Sequence, residues 1–262
     1  MASLQEQAAT LLEPAPGRGA RAARALPHYL ALPALVALVL AALYFYVNSQ
    51  ELDTIEARSI SFPIIQQRTL EHIGITAAST IAVIIIAVPL GILLTRPRAR
   101  FITPVLLAVA NTGQATPSIG VLALIAIVWK IGFGPAVVGL VAYAVLPILR
   151  NTMVGLDGVD RSMIEAGRGM GMSKTKALTG IEIPLAVPVI LAGIRTALVI
   201  NVGTAALAWS IDGGGLGDII QTGLSLNRDV VVITGAVLTS ALALLIDWLG
   251  GIVEDVLRPK GL

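Results

Sequence analysis

Six long stretches that are almost free of Asp, Glu, Lys and Arg most constrain what this chain can fold into. They run approximately over 29–47, 73–95, 102–129, 131–149, 185–209 and 230–252. A helix needs roughly 20 apolar residues to cross the hydrocarbon core of a bilayer, and it satisfies its own backbone hydrogen bonds there. The pattern therefore predicts an all-α polytopic membrane protein with about six transmembrane helices.

The composition excludes several classes of protein. Of the 262 residues, 56% are hydrophobic and 13% are charged, which is too apolar for a soluble domain. The absence of cysteine excludes disulfides, thiolate metal sites and a cysteine nucleophile. With two histidines, no zinc-type His/Glu spacing and no paired carboxylates in an apolar stretch, we expect no enzyme, no metal and no cofactor bound by this chain. We expect no nucleic acid partner either.

The distribution of positive charge predicts the orientation. With a cytoplasmic N-terminus, the inside segments hold thirteen of the 18 Lys and Arg residues and the outside loops hold four. The inside residues are Arg18, Arg21, Arg24, Arg96, Arg98, Arg100, Arg150, Arg161, Arg168, Lys174, Lys176, Arg258 and Lys260. The positive-inside rule thus favours cytoplasmic positions for both termini, and six spans require the two termini to share a side.

Residues 1–26, which include Pro14, Pro16 and Gly17, are expected to form a flexible cytoplasmic tail. Residues 27–258 are expected to form one membrane domain. The first span ends on the bulky residues Tyr44 to Asn48 where signal cleavage requires small ones, so we expect an uncleaved anchor.

The connection between the fourth and fifth spans, Arg150 to Pro184, is long enough to be a functional loop. Ser162 to Arg168 is predicted to form a short amphipathic helix, glycines at 167, 169 and 171 interrupt it, and Ser173 can cap a second helix. Two short helices joined by a glycine turn would protrude as a knob. Gly169 to Thr175 superficially suggests a phosphate-binding loop, but serine precedes Lys174 and no buried strand leads into it. Any ATP hydrolysis is therefore expected of another polypeptide.

This loop, at about 160–184, resembles the EAA loop of ABC importer permeases. The matching residues are Glu165, Ala166, Gly167, Gly171, Ile181 and Pro184. Two positions depart from the usual E-A-A-x-x-x-G, nine residues, I-x-L-P: Gly167 replaces alanine and Ile183 replaces leucine. The resemblance implies a type I ABC importer transmembrane fold in which this loop is a coupling helix seated in a groove of the ATPase subunit. The alternative is a helix lying on the membrane surface.

Polar residues in the third span are candidates for a translocation pathway. Asn111, Gln114 and Ser118 recur at the spacing of one helix face, and Thr116 and Pro117 lie beside them. Such groups either hold helices together or line a wet route, and residue types alone leave both open. The stretch resembles permeases for glycine betaine, choline and carnitine, in which this helix borders the pathway. Asn201 and Thr204 of the fifth span are expected to be partners across the pore.

A glycine-rich turn, Ala208 to Gly217, supports the same resemblance. Permeases for methionine or aromatic sulfonates share much of this skeleton, so another small solute remains an alternative. With 4% aromatic residues, a cation–π cage for a trimethylammonium group is scarcely available, and high-affinity selection is expected in an extracytoplasmic binding protein.

Two charged residues inside spans, Arg195 and Asp247, are predicted to pair and to tie the fifth span to the sixth. The pair has either a structural role or a role toward substrate. His72 is interpreted as a membrane-interface residue.

The expected mechanism is alternating access by two permease subunits that enclose one pathway. Two ATPase subunits would bind ATP and Mg, and an extracytoplasmic protein would deliver the solute. A channel or secondary transporter and a non-transporting assembly scaffold are the rival functions. No inverted repeat, set of ion-coupling carboxylates or filter motif is visible for the former.

Overall fold

The computed structural model describes residues 18–257, with side chains described from Tyr29 onward. Most of the predicted tail, residues 1–17, and the charges of Arg258 and Lys260 lie outside the described residues. The first helix, α1, spans Arg18–Asn48, so residues 18–26 are helical where we expected tail.

Ten further α-helices follow in chain order within the described part. They are α2 (Thr54–Ser59), α3 (Phe62–Leu94), α4 (Thr103–Ala115), α5 (Ser118–Val128), α6 (Phe133–Asp157), α7 (Arg161–Gly169), α8 (Lys174–Ala177), α9 (Ile183–Ala205), α10 (Gly217–Leu226) and α11 (Asp229–Leu257). A π-helical turn, Leu178–Glu182, joins α8 to α9, and a 3₁₀ turn, Ala208–Ile211, follows α9. Between residues 18 and 257 the chain forms no β-strand. It is an all-α protein, as the apolar stretches predict.

Five helices are long and apolar enough to cross a membrane, and a sixth crossing is possible through the bent pair α4 and α5. The axes of this pair differ by 101°. Thr116, at the break, has an extended backbone because the ring of Pro117 disfavours helical geometry in the residue before it. The third span is therefore not the continuous helix that we predicted. Ser118 begins a new helix and does not share a face with Asn111 and Gln114.

The core of the bundle forms where α6 packs between α3 and α9. Small residues allow these helices to approach closely. A Cβ atom added at Gly155 of α6 would lie 3.1 Å from the Ala186 carbonyl oxygen of α9, and one at Gly193 of α9 would lie 3.0 Å from the Pro147 carbonyl oxygen of α6. Close backbone contact of this kind is how transmembrane helices gain packing energy when lipid offers no hydrophobic driving force.

The first helix packs along the last at the edge of the bundle. The indole Nε1–H of Trp248 donates to the Tyr29 carbonyl at 2.8 Å, and the Tyr29 hydroxyl donates to Asp255 Oδ2 at 2.6 Å. These bonds fix the register of α1 against α11. The N-terminal apolar stretch thus packs against the rest of the bundle, and its retention as an uncleaved anchor stays a prediction.

The connection between the fourth and fifth spans is shorter than we predicted, because α6 continues to Asp157 and the helical segment that leads into α9 begins at Lys174. The short helix α7 lies between them. A consequence is that Arg150, which the sequence placed at the start of a loop, lies inside a helix.

Candidate functional site

The loop helix α7 begins where the sequence analysis placed it. The carboxylate of Asp160 accepts a hydrogen bond from the Ser162 N–H at 2.9 Å, which caps the first turn. This bond to the charged form lowers the pKa of Asp160. Glu165 and Ala166 lie on the exposed face of α7. Within the described residues Glu165 forms no ion pair or side-chain hydrogen bond with this chain, so its carboxylate is available to another molecule.

The C-terminus of α7 explains why glycine stands at position 171. The Met172 N–H bonds to the Gly167 carbonyl at 3.1 Å, and the Gly171 N–H bonds to the Arg168 carbonyl at 3.0 Å. This pair of bonds defines a Schellman motif, which requires a left-handed residue just beyond the helix. Gly171 supplies it with a φ of +90°. The chain turns sharply there, and residues 160–172 form a compact projection that we call the α7 knob.

The α7 knob is braced against the entry to α9 at Gly167. A Cβ atom at this position would lie 2.5 Å from Ile181 Cδ1 and 3.2 Å from Met172 Sδ. Gly167 is the buried residue of α7, so it forms the contact face of this helix. This contact explains why glycine replaces the usual alanine at position 167, since Ile181 occupies the space that the alanine methyl group would need.

A capped short helix, α8, and a π-helical turn connect the α7 knob to the membrane helix α9. Ser173 Oγ accepts the Lys176 N–H at 3.2 Å and caps α8 as predicted. In the π-helical turn, the Ile183 N–H bonds to the Leu178 carbonyl five residues back. Pro184, which has no N–H to donate, stands in the first turn of α9, directly after this π-helical turn. The predicted coupling residues are therefore brought together on one continuous segment.

Glu182 is a residue of this segment that the sequence analysis missed. Its carboxylate is buried, and its Oε2 lies 2.7 Å from Nη2 of Arg96, which follows the end of α3. The pair ties the segment below the α7 knob to the connection between α3 and α4. A charged residue between Ile181 and Ile183 in an otherwise apolar run was the available signal, but nothing local indicated its partner 86 positions away.

The predicted pathway residues separate into two groups. On α4, Asn111 and Gln114 are half-buried, and Asn111 Oδ1 accepts a hydrogen bond from Arg150 Nη2 of α6 at 2.7 Å. Thr116 donates to the Thr112 carbonyl at 2.8 Å. The open face of α4 and α6 thus carries an arginine that the sequence analysis did not assign to the pathway.

Asn201 differs from its predicted role. It is fully buried within this chain, and its amide donates to Thr80 Oγ1 of α3 at 3.1 Å. Thr204 is half-buried, and its hydroxyl donates to the Ile200 carbonyl at 2.8 Å. Because Asn201 points into the packing between α3 and α9, it joins these helices and offers no surface to a solute.

Arg195 and Asp247 meet in a bidentate pair between α9 and α11. Nε lies 2.7 Å from Oδ1 and Nη2 lies 2.9 Å from Oδ2. Glu254 Oε2 is 3.5 Å from Nη1. A Cβ atom at Gly251 would lie 3.3 Å from Nη1, so the glycine leaves room for the guanidinium.

Comparisons with known proteins identify the family to which this architecture belongs. Residues 87–259 match the family model described as a binding-protein-dependent transport system inner membrane component. This chain belongs to that family. It is a permease subunit and a multi-pass membrane protein, as the EAA-like loop and the apolar stretches predicted.

Two curated relatives of the permease are the choline transport system permease protein OpuBB of Bacillus subtilis and the osmoprotectant import permease protein OsmY of Salmonella typhimurium. OpuBB is 42% identical over 195 residues, which cover 74% of this chain and 89% of the relative. OsmY is 39% identical over 215 residues, which cover 82% and 89%.

Among solved structures, a chain of the inward-facing MetNI methionine ABC transporter has a TM-score of 0.66. It is 24% identical to the permease, and the match covers 76% of this chain and 100% of that one. This similarity shows the fold, and it confirms the predicted type I ABC importer architecture.

A polar network closes the opposite end of the permease bundle, and the sequence analysis missed it. Arg68 Nη1 lies 2.8 Å from Glu71 Oε2 and 2.6 Å from Asp218 Oδ2. Glu71 also accepts the Gly215 N–H at 3.0 Å. Burial raises the pKa of Asp218, and the charge of Arg68 opposes this rise. The glycine-rich turn is thus held against the start of α3.

His72 belongs to the same closure and is not a membrane-interface residue. The ring is fully buried, where we expected it at the interface. Its Nδ1 accepts the Leu216 N–H at 3.3 Å and its Nε2 donates to the Val202 carbonyl at 2.9 Å, which requires the neutral tautomer protonated on Nε2. His72 therefore bridges α3, α9 and the glycine-rich turn.

Proposed function

We propose that this permease is the transmembrane subunit of an ATP-driven importer and that the α7 knob docks into a separate ATPase. The observation that carries the proposal is the construction of the α7 knob. Its outer face presents Glu165 and Ala166 to solvent, while its inner face is braced at Gly167 against Ile181. An exposed helix with a rigid base is suited to transmit a push from a soluble partner to the membrane helices.

The Arg96–Glu182 ion pair provides a second connection through which movement of the α7 knob reaches the membrane helices. Glu182 follows Ile181 directly, and its partner lies at the end of α3. Movement of the α7 knob is therefore passed to α9 along the chain and to α3 through the ion pair.

The α7 knob is cytoplasmic in this proposal, and both termini lie on the same side. With Arg150 counted in α6, the excess of Lys and Arg in the segments of this side is twelve against four, which supports this orientation in a bacterial inner membrane. The network around Arg68 then closes the external end.

The working assembly contains two ATPase subunits, two permease subunits and an extracytoplasmic binding protein. ATP and Mg are bound by the ATPase subunits. Closure of the ATPase pair on ATP draws the α7 knobs together and opens the pathway outward, where the binding protein releases the solute. Hydrolysis returns the pathway to its inward-facing state.

The solute is a quaternary amine such as glycine betaine, carnitine or choline. The relatives at about 40% identity are named for these compounds, and the match covers three quarters of this chain. The amide and hydroxyl groups of Asn111, Gln114 and Thr116 are compatible with a zwitterion whose charges cancel. The similarity to a methionine transporter rests on the fold and carries no argument about substrate.

Cross-linking tests the docking. The chain contains no cysteine, so a single cysteine introduced at the exposed Ala166 reports on α7 alone. We expect Ala166→Cys to cross-link to the copurified ATPase in the reconstituted complex. The control is Leu226→Cys, exposed at the end of α10 on the opposite side of the bundle. Cross-linking from position 226 alone, or a permease that purifies without an ATPase, would refute the proposal and favour a channel or scaffold.

Uptake into proteoliposomes tests the substrate class. We expect ATP-dependent uptake of at least one of glycine betaine, carnitine and choline in the presence of the binding protein. Uptake of methionine in place of all three would overturn the substrate assignment and leave the docking of α7 intact.

A further inference from the structure

Arg150 is a charged residue within a membrane helix whose partner is neutral. It lies seven residues before the end of α6, which is about 10 Å along the helix axis. Its guanidinium does not extend toward that end of the helix. It bonds to Asn111, eight residues or about 12 Å into α4. Among the described residues no carboxylate lies within ion-pair distance of Arg150.

The Arg150 side chain itself is not suited to lipid contact. It is exposed in the single chain, whereas its neighbours one helical turn away on α6 are apolar: Leu146 is buried and Val154 is exposed. A guanidinium at this depth is costly in hydrocarbon, and such residues face a bundle interior or a water-filled cavity. Asn111, its partner, is on the helix that we propose to border the translocation pathway. The positive charge therefore faces the space that a solute crosses.

We propose that Arg150, held by Asn111, binds the carboxylate of the transported solute. The permease then favours quaternary-amine zwitterions that carry a carboxylate over quaternary-amine cations that do not. This inference rests on the proposed function and narrows its substrate class.

The chemistry of the pair supports a carboxylate ligand. A guanidinium has five N–H donors and binds carboxylates through two parallel bonds, and the single bond to Asn111 leaves donors unused. A cation without a carboxylate meets only repulsion from Arg150. In a two-fold assembly each permease subunit contributes one such arginine, which doubles the positive charge along the pathway.

The experiment compares carnitine with choline as probes, in proteoliposomes that contain permease, ATPase and saturating loaded binding protein. The measured quantity is the ratio of carnitine uptake to choline uptake, relative to the same ratio for the unmodified complex. This double ratio cancels the preference of the binding protein. We expect Arg150→Gln to lower it about tenfold, and Arg150→Lys, which keeps the charge, to lower it by no more than about threefold, on the scale of one exposed charge interaction.

Asn111→Asp provides a second test that does not depend on the folding of Arg150→Gln. The substitution keeps the shape of the side chain and neutralises the arginine in place, so we again expect a fall of about tenfold. The matched control for loss of charge is Arg100→Gln in the exposed connection between α3 and α4, which should leave the ratio unchanged.

Three results would overturn the inference. Equal losses of carnitine and choline uptake in both variants would make Arg150 a structural residue, and unchanged uptake of both probes in both variants would remove it from the pathway. In these two cases the proposed function stands. An unmodified complex that imports none of glycine betaine, carnitine and choline would instead overturn the proposed substrate class, and the role of Arg150 with it.

Discussion

Replacing Gly171 by alanine tests the mechanical role of the α7 knob, because the structure separates backbone strain from packing at this position. With a φ of +90°, Gly171 adopts a conformation that costs an L-residue about 1–2 kcal/mol. A Cβ atom there would meet nothing within 4 Å, so no steric clash adds to this cost. The whole effect of Gly171→Ala is therefore assigned to the Schellman turn.

Gly169→Ala is the matched control. Gly169 is two residues away, and a Cβ atom at its position also meets nothing within 4 Å, but its backbone is helical. Alanine there should be neutral or should stabilise the helix by up to about 1 kcal/mol. The two variants make the same chemical change in equally open space and differ in the sign of φ.

The assay is solute-stimulated ATPase activity of the reconstituted complex, together with the cross-linking yield from Ala166→Cys. A loss of 1–2 kcal/mol lowers the ratio of ordered to disordered loop about 5- to 30-fold. We expect Gly171→Ala to lose stimulation by up to this factor and to retain basal ATPase activity, while Gly169→Ala behaves as the unmodified protein. Full stimulation in both variants, or an equal loss in both, would refute the reasoning.

Three further substitutions test other contacts. Gly167→Ala should weaken coupling slightly, because the added methyl group displaces Ile181 Cδ1, and adding Ile181→Val to this variant should restore coupling. Solute-stimulated ATPase activity measures coupling in the single and the double variant. A double variant that does not recover would contradict the packing argument. Glu182→Gln should lower the free energy of unfolding by about 1–3 kcal/mol, since its arginine partner is left about a third exposed and unpaired; thermal unfolding in detergent measures this, and an unchanged midpoint would count against the pair. Asp247→Asn should lower membrane abundance and transport together because Arg195 loses its bidentate partner, whereas unchanged values of both would exclude a structural pair.

The sequence predicted the all-α class and the approximate number of membrane helices. It could do so because the cost of placing polar groups in lipid depends on the residues of each segment alone. It also predicted the extent of α7 and the cap at Ser173, since both depend on residues a few positions apart. The bend at Pro117 was visible as a proline, but a weakened helix and a 101° break give the same sequence signal. The geometry at Thr116 decided between them.

The sequence by itself determined that this protein lies in a membrane, approximately where its spans run, and that one exposed loop has the residue spacing of the EAA loop. What the tertiary structure alone decided is which polar groups meet. Asn201 bonds to Thr80 inside the bundle, and Glu182 pairs with Arg96. Arg150 lies within α6 and bonds to Asn111 of α4. The physical reason is that hydropathy acts along the chain over one helix length, whereas the partner of a buried polar group is fixed by how distant helices pack.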